Sequence, residues 1–332
     1  MSNRVTSRDV ARQAGVSQST VSRVFGGGNV SDEKTERVMA AAVELGYSPN
    51  AIARSLTTQQ SNIIGLVMAN LTSPFYPYVL DKFLARLQAM DKQALLFTVP
   101  PGQDVDTVLP LIMQHRVDAL IVTSATLSSE MSARCARLDI PVILFNRQAR
   151  GGHASTVSCD NVAGGRTVAD LLLDAGHKRL AYVAGTPNTS TNTDRERGFT
   201  ERLAERGQPK PTRYQGGYTY ESGYAAGEML LAQSTLPDAI FCANDIMALG
   251  CIDAARDLGV SIPEALSVVG FDDIPTADWS GYRLTTVRQE VDTMIDETMN
   301  LMQAKISDPA SDPVVKLIAG KVVIRDTLRQ PR

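Results

Sequence analysis

The polar side chains best placed to read another molecule's surface fall in residues 5–24, VTSRDVARQAGVSQSTVSRV. A short helix starting at Gln18 would carry Gln18, Ser19, Ser22 and Arg23 on its outer side, with Val21 and Val24 turned inward. A Gln amide matches the donor–acceptor edge of adenine, and an Arg fork matches that of guanine. Each such pair is worth about 1–3 kcal/mol of discrimination. Thr6, Ser7, Thr20, Ser22 and Asn29 are short polar groups of the kind that hold phosphate oxygens. The same residues would also suit a small helical docking module with a polar surface, and spacing alone leaves both readings open.

Other chemistry finds little footing. No GxSxG, Walker or GxGxxG pattern follows a strand, and Gly26–Gly28 follows a helix. Asp272 and Asp273 are adjacent, so on a strand they point to opposite faces and do not form a working carboxylate pair. His115, His153 and His177 match no metal-ligand spacing. Cys135, Cys159, Cys242 and Cys251 lack CxxC spacing and sit in apolar segments such as IFCA, which predicts buried, reduced thiols. The expectation is a protein with no catalytic role, no metal and no cofactor.

Helices must position the first group. Thr6, with Asp9 three residues on, is a capping box that opens a helix through Val10 and Ala14. Gly15 suits the tight turn that follows. Ser17 is placed to cap a second helix, Gln18 to Phe25, which Gly26-Gly27-Gly28-Asn29 breaks. Ser31 is placed to cap a third, with Asp32 and Glu33 at its positive end. Val38, Met39, Ala42 and Leu45 follow helical spacing along it, and Gly46 ends it. Pro49-Asn50 opens AIARSLTTQQS, with Asn50 as its cap and a polar end that reads as a linker.

From Asn62 the texture changes. Apolar runs at 63–69, 94–99, 118–124, 141–146, 179–185, 239–245 and 266–273 alternate with amphipathic stretches at 76–90, 161–175, 195–206, 221–232 and 245–258. Continuous apolar strands alternating with helices indicate parallel sheets covered on both faces. Roughly 270 residues of this pattern exceed one α/β lobe, so two are expected.

Of the chain's 332 residues 43% are hydrophobic, enough for a sizeable core, and the net charge is -3. Residues 1–30 carry Arg4, Arg8, Arg12 and Arg23 against Asp9 alone, whereas residues 61–332 are net acidic. A basic head on an acidic body implies that only the head meets a polyanion. No apolar run approaches a bilayer span, and MSNRVTSRDVARQAGVS lacks the apolar core of a secretory leader. A cytoplasmic protein without membrane partners is expected.

Residues 5–24, followed by LGYSPNAIARSL and SNIIGLV, resemble the LacI/GalR family of transcription regulators. The likeness continues in order through NRQARG, VSCDNVAGGR, GHKRLAYVAG, DRERGF, AIFCANDIMALG, SVVGFDD and LTTVRQ. It implies an α/β chain with a helix-turn-helix head at 1–48, and a hinge and linker at 49–60 with its helix at 51–58. A two-lobed core like a periplasmic sugar-binding protein, with parallel sheets, would follow at 61–332. Lobe 1 would comprise about 61–159 and 289–318, and lobe 2 about 160–286 and 319–329, joined by three crossovers.

The resemblance further implies a repressor that binds a double-stranded, pseudo-palindromic operator as a homodimer. Leu56 falls where the family wedges a leucine into the minor groove, although an ordinary linker helix would also bury it. A hinge helix of about eight residues is marginal alone, so it is expected to order only with partner and DNA. The effector position maps to Asn146, Arg195, Tyr218, Asn244 and Asp272, with Phe75 near the cleft mouth, a set suited to a sugar or polyol. Arg147 adds a second cation. With Arg195 it would favour a sugar acid or sugar phosphate, unless either arginine pairs with an acidic neighbour. The ending RDTLRQPR carries no leucine heptad, so a dimer is expected. A transport-type sugar-binding protein is the rival reading, opposed by the added head.

Overall fold

The computed structural model describes residues 5–26, 28–47, 61–69, 71–100, 103, 105–123, 128–147 and 154–329. The chain divides into two compact units, Met1–Ile63 and Ile64–Arg332.

In the first unit, three helices, α1 (Ser7–Ala14), α2 (Gln18–Phe25) and α3 (Asp32–Leu45), enclose Val10, Ala11, Ala14, Val21, Val38, Ala41 and Ala42. The expected box at the start of α1 is present. The Thr6 N–H and hydroxyl both donate to Asp9 Oδ2, at 3.0 and 2.7 Å. Gly15 ends α1 at φ 62°, and a Cβ there would lie 2.6 Å from the Arg37 guanidinium. That guanidinium donates to the carbonyls of Ala14 and Gly15, placing a cation at the negative end of α1. Two expectations for α3 need correction. Met39 is 46% exposed, and Ala41 takes the inward position instead. Ser31 occupies the cap position, but its hydroxyl makes no capping bond. The hinge helix expected at 51–58, with Leu56, lies outside the described residues.

The second unit holds two six-stranded sheets. The first contains β1 (Ile63–Met68), β2 (Gln93–Thr98), β3 (Ala119–Thr123), β4 (Val142–Phe145), β5 (Ser155–Cys159) and β11 (Val315–Ile318), in the order β11-β5-β4-β3-β1-β2. The second contains β6 (Leu180–Ala184), β7 (Thr212–Gln215), β8 (Ala239–Cys242), β9 (Ser267–Asp272), β10 (Thr285–Arg288) and β12 (Lys321–Val323), in the order β12-β10-β9-β8-β6-β7. The described pairings are parallel except that of β10 with β12. The backbone passes between the sheets three times: after β5, after β10 and after β11. Helices α4 (Phe75–Ala89), α5 (Leu109–Gln114), α6 (Ser129–Arg137) and α11 (Val291–Ser307) accompany the first sheet, and α7 (Asn161–Asp174), α8 (Ser190–Glu205), α9 (Tyr220–Leu231) and α10 (Asp245–Asp257) the second. α8 begins five residues earlier than its amphipathic pattern indicated, because its first turn, STNTD, is polar yet partly buried.

α7 and α8 approach closely because two glycines leave room. A Cβ at Gly165 would lie 2.3 Å from the Arg195 carbonyl oxygen, and one at Gly198 would lie 2.1 Å from that of Val162. The neighbours are backbone, which cannot swing aside. All four cysteines are buried, and Cys242 and Cys251 hold their sulfurs 3.6 Å apart as free thiols. Gly198→Ala is expected to push α8 off α7 and destabilise the protein by about 1–3 kcal/mol. A lowered urea midpoint with an unchanged slope would register that loss.

Candidate nucleic-acid interface and ligand cleft

In the first unit, Gln18, Ser19, Ser22 and Arg23 are exposed on α2 while Val21 is buried beneath them. Thr6 and Asn29 are also exposed, and Ser7 and Thr20 are half-buried. Gln18 Nε2 donates to Ser7 Oγ at 3.0 Å, so these two predicted residues act as one surface across the turn. Ser17 Oγ accepts from the Thr20 N–H at 3.2 Å and lies within 2.9 Å of the Ser19 and Thr20 hydroxyls. The expected Ser17 cap is thus present, and the added contacts to the Ser19 and Thr20 hydroxyls were not visible in the spacing. Among the described residues Arg23 has no ion-pair partner, and Gly28 passes beside its side chain. A Cβ at Gly28 would lie 3.0 Å from Arg23 Cγ.

In the second unit a narrow cleft, partly open to solvent, lies between the two sheets' loops. All seven predicted residues line it: Phe75, Asn146, Arg147, Arg195, Tyr218, Asn244 and Asp272. Asn146 follows β4, Asn244 follows β8 and Asp272 ends β9, so the cavity sits at carboxyl ends of parallel strands, where open α/β sheets take ligands. Ser73, Tyr76 and Thr191 also line it and were missed. Tyr76 follows Phe75 directly, and Thr191 lies one helical turn before Arg195, so each neighbours a predicted residue. Phe75, expected near the mouth, is only 3% exposed and meets Tyr76 edge-on at 5.4 Å.

Backbone conformation sets several of these side chains. Asn146, Tyr218 and Asp272 have φ of 55°, 63° and 122°, a region non-glycine residues seldom occupy and one that clusters at binding sites. The Tyr218 ring lies against Gly185, where a Cβ would fall 2.1 Å from it, and its hydroxyl is 3.2 Å from Thr191 Oγ1.

The two arginines differ. Arg195 is 2% exposed, and all three of its nitrogens are directed at protein oxygens. Nε donates to Asn161 Oδ1 at 2.8 Å, one terminal nitrogen donates to the Ala243 carbonyl at 2.5 Å, and the other lies 3.2 Å from Asp272 Oδ1. Its guanidinium also stacks 3.7 Å from the Phe271 ring centre. Of the two roles left open for it, pairing with an acidic neighbour is the one present here. Asp272 also accepts from Gln289 Nε2 at 2.7 Å. Burial pushes its carboxyl up, against the pull of Arg195 and Gln289. Arg147, by contrast, donates among the described residues to neutral oxygens, Thr191 Oγ1 at 2.7 Å and the Asn146 carbonyl at 3.3 Å.

Asn244 has a second duty. Its carboxamide oxygen accepts from the Met247 N–H at 3.2 Å as the cap of α10, leaving the NH₂ group for a ligand. The next residue, Asp245, is 0% exposed. It accepts from Thr286 Oγ1 at 2.5 Å and from the Ile274 N–H at 2.8 Å, fixing the loop that follows Asp272. Burial, then the nearby Asp272 charge, push its carboxyl up to about 8. Asp273 turns away from the cleft to Arg288 and Arg325, at 2.6 and 2.7 Å.

A three-helix head bearing an exposed polar helix, on a chain whose second unit has a polar cleft between two α/β sheets, defines a ligand-responsive DNA-binding regulator. Residues 6–50 match the bacterial regulatory proteins, lacI family, and residues 169–328 match the periplasmic binding protein-like domain. The HTH-type transcriptional regulator GalS of Salmonella typhimurium is 35% identical over 294 residues, spanning 87% of this chain and 86% of GalS. A lac repressor dimer bound to operator and the anti-inducer ONPF superposes with a TM-score of 0.86 at 25% identity, covering 98% of this chain and 99% of that one. The transcriptional regulator CelR in complex with cellobiose gives 0.74 at 28% identity, covering 98% and 100%. The chain belongs to the lacI family of bacterial regulatory proteins. Among its described residues no helix is long and apolar enough to cross a membrane.

The raised Asp245 carboxyl has a stability consequence. Its folded value, about 8, lies above the unfolded value of 3.8, so the stability it confers is full below about pH 4 and is lost as pH rises through about 8. Asp245→Asn is expected to flatten that decline, checked by urea midpoints at pH 6 and pH 9.

Proposed function

We propose that this chain represses transcription from a pseudo-palindromic operator, bound as a homodimer, and that a small sugar or sugar-derived effector in the interlobe cleft releases it. The observation that carries the first part is the exposed row Gln18, Ser19, Ser22 and Arg23 above the buried Val21. Those side chains meet base edges in the major groove, and Thr6, Ser7, Thr20 and Asn29 hold flanking phosphates. Leu56 enters the minor groove at the operator centre, where an apolar wedge bends the duplex. The lac repressor complex supports the dimer and the operator as partners. The protein acts in the cytoplasm as a binding protein, without a catalytic step.

The second part rests on linkage. An effector changes operator affinity only by the difference in its affinity for two lobe arrangements. The cleft draws residues from both sheets' loops, and the Arg147–Thr191 hydrogen bond crosses between them, so a ligand there biases one arrangement. Asn146, Asn244 and Asp272 share hydrogen bonds with hydroxyls, and Phe75 and Tyr218 cover an apolar sugar face.

Footprinting on the chain's own upstream DNA at low ionic strength is expected to show a protected palindrome, and absence of protection on every fragment would sink the reading. Arg23→Ala should weaken specific binding by about 5- to 150-fold, with a much smaller effect on random DNA. Asp272→Asn should cut the ligand response of operator binding at least about tenfold, read by anisotropy with and without ligand. An unchanged response would remove Asp272 from the site.

A further inference from the structure

The cleft holds one positive charge more than its own carboxylates balance. Among the described residues three charged side chains line it: Arg147, Arg195 and Asp272. Arg195 and Asp272 pair at 3.2 Å, and Arg195 also donates to Asn161 Oδ1 and the Ala243 carbonyl. Asp245 lies close by but is turned to Thr286 and the Ile274 N–H. Among the described residues no carboxylate lies within ion-pair distance of Arg147. Its partners, the Thr191 hydroxyl and the Asn146 carbonyl, are neutral. A half-buried guanidinium with neutral partners is costly to enclose further when lobes close on a ligand.

A second observation comes from the adjacent residue. Asn146 is 3% exposed, and its side-chain oxygen is buried without a hydrogen-bond partner. Such an acceptor requires a hydroxyl or N–H donor. A bare anion supplies none, so a molecule that answers both residues carries a donor group as well as a negative charge, and in a sugar-derived ligand that donor is a hydroxyl.

We propose that the effector is a sugar acid, a small polyhydroxy carboxylate whose carboxylate is held by Arg147 and one of whose hydroxyls donates to Asn146 Oδ1. The proposal rests on the cleft being the effector site. One surplus cation matches the single charge of a carboxylate, whereas a phosphate monoester brings nearly two. The planar guanidinium also fits a carboxylate through two parallel hydrogen bonds. The Thr191 and Tyr218 hydroxyls, 3.2 Å apart, are free to reorient as the Arg147 fork turns from Thr191 to the ligand.

The test is calorimetric titration of the full-length protein with gluconate, galactonate, glucuronate and galacturonate, each against glucose or galactose, and with glucose 6-phosphate. At least one acid is expected to bind about tenfold or more tightly than its neutral counterpart, with the preference shrinking as salt is added. Arg147→Gln should bring that acid and its neutral sugar within about threefold, and Arg147→Lys should keep part of the preference. Neutral sugars binding as well as their acids, the phosphate ester outbinding every acid, no acid binding, or an Arg147→Gln protein that keeps the preference would each overturn the assignment. Operator binding by the same wild-type preparation separates the two readings. If it is retained without acid preference, the ligand class alone is wrong; if it is absent, the regulator reading fails with it.

Discussion

A guanidinium with almost no access to water lies at the floor of the cleft, and much of the second sheet's binding edge is organised around it. Arg195 reaches from α8 to Asn161 at the start of α7, to the Ala243 carbonyl beyond β8 and to Asp272 at the end of β9, over the Phe271 ring. Four segments are thereby held at fixed distances. Removing one member of a buried ion pair leaves the other uncompensated, at a cost of about 3–5 kcal/mol. The glycines between α7 and α8 belong to the same arrangement, since only a close crossing lets the α8 backbone bring Arg195 this deep. Ligand recognition thus begins with a floor whose charges are already balanced, and discrimination passes to residues above it.

Those residues come from both lobes and are unequal in freedom. Asn244 is half committed as a helix cap, and Tyr218 is pinned over Gly185. Arg147 and Asn146, side by side after β4, keep unsatisfied capacity. The strained backbone at Asn146 and Asp272 is consistent with a site built for contact rather than for stability.

The α/β class was legible because β1, β2, β3, β4, β6, β8 and β9 fall in mainly apolar runs. The strands that were missed have polar or short sequences: STVSC for β5, TRYQ for β7, TTVR for β10, VKLI for β11 and KVV for β12. β5 shows why: Ser155, Thr156 and Ser158 are buried, and side-chain polarity hid a central strand. The passage of the chain between sheets depends on long-range pairings such as β5 with β11, which no local pattern reports. In the head, capping chemistry located α1 and α2, while Met39 was misjudged because a small alanine on the neighbouring face served the packing instead. The cleft residues were reached through family resemblance. That one of the two arginines pairs with an acidic neighbour was anticipated, but which partners Arg195 takes could not be read, because they are brought in from distant parts of the chain.

The triple passage of the backbone between the sheets also bears on how such proteins diversify. The head is one uninterrupted stretch, so a single recombination joint can graft it onto a different body and redirect the regulator to new genes. Neither sheet is encoded by a continuous stretch: the first needs strands from both before β6 and after β10. A gene-fragment exchange within the body would leave mismatched halves in both sheets. A single crossover can therefore exchange head or body whole, whereas ligand preference within one body changes by point substitution.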